Sequence, residues 1–106
     1  MKIETDYKSD GSVYAIDVKS IGVRTLLKVL KRYERISSLV RLKYFFNSDE
    51  PIISFVFNNV DIIIWIPFGD SGIYRIQSRN DEVDLVELKN YLQEYKLNFL
   101  EKLFML

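Results

Sequence analysis

Hydrophobic and polar positions along the chain switch between two periods, and each switch marks an element. Ile3, Thr5 and Tyr7 alternate with charged residues, the two-residue period of a short strand. Ser9-Asp10-Gly11-Ser12 follows, and Asp and Gly accept the backbone angles that a turn demands. Tyr14, Ile16 and Val18 alternate with Val13, Ala15 and Asp17, which predicts a second strand paired with the first as a hairpin. The period then lengthens. Val23, Leu26, Leu27, Leu30 and Tyr33 form one apolar face of a helix. Ser20 is placed to cap that helix by accepting a hydrogen bond from a free backbone N–H. The helix is expected over 20–35, ending before Ser37-Ser38.

A long β region comes next. Val40, Leu42, Tyr44 and Phe46 alternate with Leu39, Arg41, Lys43 and Phe45, until Asn47-Ser48-Asp49-Glu50-Pro51 breaks the strand. Residues 52–57 are β-branched or aromatic apart from Ser54, and Asn58-Asn59 suits a two-residue hairpin because Asn tolerates positive φ. Val60, Ile62, Ile64, Ile66 and Phe68 line one face of the following strand, with Asp61, Ile63, Trp65 and Pro67 on the other. Gly69-Asp70-Ser71-Gly72 turns the chain into a last strand, Ile73 to Gln77. Strands joined by such short turns form an antiparallel meander. Asp81 is placed to cap the final helix, and Asp84 and Glu87 suit the positive end of its dipole. Leu85, Leu88, Leu92, Tyr95 and Phe99 mark its core-facing stripe; beyond Lys96 apolar residues point in nearly every direction.

The predicted order is ββ-α-ββββ-α. It describes one α+β domain over residues 1–106, an N-terminal hairpin plus a four-stranded meander with two helices packed on one face of a curved antiparallel sheet. Whether the hairpin joins the meander is open at this point. The meander strands are apolar on both faces, and a sheet of that kind needs cover on both, from its own helices or from another chain. In the second case Trp65, with Tyr44 or Phe45, is a candidate anchor of an interface.

Composition narrows the chemistry. The chain has no Cys and no His. A disulfide scaffold, a thiolate or imidazole metal site and the commonest catalytic base are thereby excluded. Acid–base work would fall to Asp, Glu, Lys or Tyr. The chain carries no G-x-S-x-G, S-x-x-K or G-x-G-x-x-G pattern. Paired carboxylates such as Asp61 with Asp70 are the one route to a hydrolase or a magnesium site, and no spacing matches a calcium loop. The expectation is a non-enzymatic protein without cofactor or metal. The charged start Met1-Lys2-Ile3-Glu4 is unlike a signal region. The longest apolar run, Ile62 to Phe68, is far short of the roughly 20 residues of a membrane span. A cytoplasmic protein with no membrane partner is expected.

The formal net charge is zero, yet it is a cancellation. Residues 1–46 hold ten basic and five acidic residues, and residues 47–106 hold five basic and ten acidic. Arg24, Lys28, Lys31 and Arg35, flanked by Arg32, make a basic stripe on the first helix that suits phosphates or an acidic protein. The plainer alternative is an ordinary solvated face. Asp49, Glu50 and Asp70 lie in turns, and Asp81, Glu82, Asp84 and Glu87 at the start of the last helix. They are candidates to meet a basic partner such as the active-site cleft of a nuclease, or else serve turns and the helix dipole. The apolar end, with Leu103 and Phe104, suits either packing on its own sheet or an interface with a second copy or a partner groove.

With turns such as Phe68-Gly69-Asp70-Ser71-Gly72 leading into Ile73-Tyr74-Arg75-Ile76, the layout resembles the small immunity proteins of bacterial toxin–immunity pairs. The resemblance covers the whole chain at the level of layout. It implies a protein that binds a cognate toxin domain and occludes its active site. The alternatives are a nucleic-acid-binding domain using the basic helix face, and a homodimeric structural protein or chaperone using the apolar C-terminal helix.

Overall fold

Six strands and two helices follow one another in the predicted order: β1 (Lys2–Tyr7), β2 (Val13–Lys19), α1 (Val23–Lys31), β3 (Ile36–Arg41), β4 (Ile53–Phe57), β5 (Val60–Trp65), β6 (Ile73–Ser78) and α2 (Val86–Phe104). The computed structural model describes residues 1–42, 50–67, 72–79 and 83–104, for 97–104 the backbone alone. The strands form one sheet in the order β1-β2-β6-β5-β4-β3. All neighbours are antiparallel. The hairpin does join the meander: β2 pairs with β6 through Ile16↔Ile76 and Val18↔Tyr74. Asn58 and Asn59 sit at φ 51° and 63°, the paired positive angles that a tight hairpin between β4 and β5 requires.

Alternation sorts the side chains into two faces. Ile16, Ile76, Ile64 and Ile53 are cross-strand partners in one row, and Ile62 and Phe55 in the next. These residues join Leu26, Val29 and Leu30 of α1 and Leu88 and Leu92 of α2 in a single buried cluster. Both helices therefore cover the same face. Tyr91 of α2 stacks on Tyr33 at 4.0 Å, and its hydroxyl donates to the Val29 carbonyl at 2.6 Å, tying the helices together. One irregularity keeps β2 in phase with this core. Tyr7 opposes Val13 where an even register would place Tyr14. The extra residue is a bulge, so Val13 turns inward with Ile16 and Val18 while Tyr14 is exposed.

The first helix is shorter than the 20–35 expected. Ser20 is not its cap: it has φ 58°, and Gly22 takes the capping position in extended conformation with no side-chain bond. The helix ends at Lys31 with Arg32 as its cap. Bonds from Tyr33 N–H to the Leu30 carbonyl and from Ile36 N–H to the Tyr33 carbonyl then turn the chain straight into β3. Tyr33 packs 5.8 Å from Phe57 from within that turn, so the apolar spacing outlasts the helix. Ser37-Ser38 is not a break between elements. It lies inside β3, where the register shifts between Ser37 and Val40 and Ser38 takes φ 53°. β3 ends at Arg41, and the positions Tyr44 and Phe46 of the expected longer strand lie outside the described residues.

The cap of α2 is Asp84. Its Oδ1 accepts from Val86 N–H at 3.0 Å, while Asp81, expected in that role, lies outside the described residues. The same oxygen accepts from Val13 N–H at 2.9 Å, and Leu85 N–H donates to the Val13 carbonyl at 3.1 Å. The entry to α2 is thus clamped to the bulged start of β2.

Candidate interaction surfaces

Because both helices lie on one face, no described helix covers the other. Its two halves differ. On β1, β2 and β6 it is charged and internally satisfied. Arg75 reaches Asp6 at 2.7 Å and both oxygens of Asp17 at 3.1 and 3.2 Å, with its Nε 3.3 Å from Gln77. Burial pushes the Asp17 carboxyl above the usual range; Arg75 opposes this shift and Asp6 reinforces it. Burial alone would lower the Arg75 pKa, but its bond to Asp6 and the charges of Asp17 and Asp6 raise it. Lys19 pairs with Glu4 at 3.1 Å on the same face.

The other half, on β3, β4 and β5, is mainly apolar. Val40 opposes Ser54, Ser54 opposes Ile63, and Val56 opposes Asp61. Val40 is 48% exposed, and Val56, Ile63 and Trp65 are half-buried and outside the core cluster. A groove of about 390 Å³ runs between Ser38, Val40, Ser54 and Val56 on one side and Asp61 and Arg79 on the other. The Trp65 indole nitrogen is buried and has no hydrogen-bond partner among the described residues.

On the helix side, Arg24, Lys28, Lys31 and Arg32 are all exposed. None forms an ion pair with another described residue. Arg35 does not belong to this stripe. It lies beyond the helix, where it pairs with Glu87. Hydrogen bonding to Tyr33, then the Glu87 charge, raises the Arg35 pKa. A second cavity of about 370 Å³ opens beside the start of α1, between Ile21, Thr25, Tyr95 and Lys96.

The acidic candidates do not assemble into one described patch. Asp84 is engaged as the α2 cap, and Glu87 is held by Arg35 and by Asn58 Nδ2 at 3.3 Å. Glu50 is exposed before β4. Asp49, Asp70, Asp81 and Glu82 lie outside the described residues, as do Tyr44 and Phe45. Leu103 and Phe104 end α2, with only their backbone described. Among the described residues no group of three or more carboxylates is placed to hold a metal ion, and no helix is long and apolar enough to cross a membrane.

The sequence pattern marked Ile63 and Trp65 but missed two features beside them. Val40 and Val56 join that surface only through strand pairing, which local alternation does not reveal. The Arg75–Asp17–Asp6 network had a signal, charged residues at alternate positions: Glu4 and Asp6 in β1, Asp17 and Lys19 in β2, and Arg75 in β6. Comparison with family models, with curated proteins and with solved structures finds no match to this chain.

Proposed function

We propose that this chain is a non-enzymatic protein-binding module whose binding surface is the sheet face opposite the helices. The observation that carries the reading is the placement of both helices on one face, which leaves Val40, Val56, Ile63 and Trp65 with no described helix over them. An apolar centre with polar residues at its rim, here Ser38, Asp61 and Arg79 beside the groove, is the usual anatomy of a protein interface. The charged half of the face would serve register more than affinity, because its ions already satisfy one another.

In keeping with the layout resemblance, the partner class is a toxin domain whose active site this face covers, with the protein acting as its immunity factor. Of the acids at the start of α2, Asp84 is already engaged by the N–H groups of Val13 and Val86, and Glu87 by Arg35. The test is co-expression with the products of adjacent reading frames, followed by affinity capture of wild type and of Val40→Asp. Retention of one neighbour by wild type, with at least a hundredfold weaker binding by the variant at unchanged melting temperature, supports the reading. Equal retention by both, or no retained neighbour, overturns it.

A further inference from the structure

The outer face of α1 lies on the opposite side of the molecule and is independent of the surface just described. It carries Arg24, Lys28, Lys31 and Arg32, exposed and without an ion-pair partner among the described residues. No acidic residue lies within the helix to offset them. At 1.5 Å per residue, Arg24 and Arg32 stand roughly 12 Å apart along the axis. Thr25, also exposed, adds a hydroxyl.

Chemistry selects among anionic partners. A membrane surface is disfavoured: an interfacial helix inserts an apolar face, whereas α1 spends Leu26, Val29 and Leu30 on the core. A protein interface needs an apolar or aromatic centre, and none of the exposed residues of α1 supplies one. A single nucleic-acid strand is held by stacking on aromatics, which this face also lacks. A duplex needs only cations and hydrogen-bond donors facing its backbone, and carries about one negative charge per 1.7 Å of axis. Along one strand that is one phosphate per roughly 3.4 Å, so the stretch from Arg24 to Arg32 faces about four, as many as its four cations.

We propose that the outer face of α1 binds the phosphate backbone of a nucleic-acid duplex without reading its sequence. Four neutralised phosphates set a slope of about −3.6 in log affinity against log salt, or roughly a 150-fold loss between 50 and 200 mM.

The experiment is fluorescence anisotropy with a labelled 20-base-pair DNA duplex and the full chain at several NaCl concentrations. Lys28→Gln with Lys31→Gln is expected to halve the slope to about −1.8, and Arg24→Gln with Arg32→Gln, a second pair on the same face, to do the same. One strand of the duplex alone should bind at least tenfold more weakly, and polyglutamate of equal charge should compete at least tenfold less well than unlabelled duplex. Absence of binding at 50 mM, a slope unchanged in both folded variants, or equal affinity for the single strand overturns the proposal. Equal competition by polyglutamate does so too, and assigns the face to an acidic protein. None of these outcomes bears on capture of a partner through Val40.

Discussion

Asp84 was a candidate for binding a partner, and the structure makes it a clamp, so its removal has a calculable effect on stability. One carboxylate oxygen accepts from Val86 N–H at the start of α2 and from Val13 N–H at the bulged start of β2. Replacing Asp84 by Ala removes the helix cap, at about 1 kcal/mol. It also strands the N–H of Val13, a residue with no solvent exposure, at about 1–3 kcal/mol. Together these come to roughly 2–4 kcal/mol. With an unfolding entropy near 2.1 cal/mol/K per residue, a chain of this length should melt about 9–18 °C lower. Urea denaturation followed by circular dichroism measures the free energy directly. Asp84→Asn is the control, because Asn caps about as well as Asp and keeps an acceptor for Val13; it should lose less than about 1 kcal/mol. A cost below about 0.5 kcal/mol for the Ala variant, or equal costs for Ala and Asn, would refute the clamp.

Two further expectations concern the hairpin and the buried charge. Asn59→Val should cost about 1–2 kcal/mol, since a β-branched residue resists the positive φ of that position, whereas Asn59→Gly should be neutral or slightly stabilising; thermal melts of the two variants decide this. Asp17 has its carboxyl raised by burial, so the folded chain holds that proton to higher pH than the unfolded chain does. Its contribution to stability therefore falls as pH rises from about 3.8, the unfolded value, through the folded value. Wild type minus Asp17→Asn should accordingly lose stability between acid and neutral pH in urea titrations, and a gain over that window would contradict the assigned cause.

Much of the fold was legible because periodicity is a local consequence of burial. Ile62, Ile64 and Ile66 recur every second residue, and Leu26 and Leu30 every fourth, because strands and helices present faces at those intervals. The Asn58-Asn59 turn was legible for a similar reason, as few residues tolerate two positive φ angles in succession. The ends of α1 were not. Tyr33 keeps the helical spacing while sitting in a turn, and the free serine of the pattern, Ser20, is spent on a positive-φ corner. Local spacing cannot distinguish a helical residue from a turn residue that reaches the same core.

The candidate surfaces divide in the same way. The basic stripe of α1 was readable in Arg24, Lys28 and Lys31, because one helix carries both its apolar and its charged face. The fates of Arg35, Asp84 and Glu87 were not, since each depends on a partner distant in sequence. By itself the sequence determined the elements, their order, the exclusion of His and Cys chemistry and the charge split between halves. Only the tertiary structure decided that β2 pairs with β6, that a bulge turns Val13 inward, and which charges pair with one another. Those outcomes rest on contacts between residues tens of positions apart, and such contacts are selected by the whole core at once.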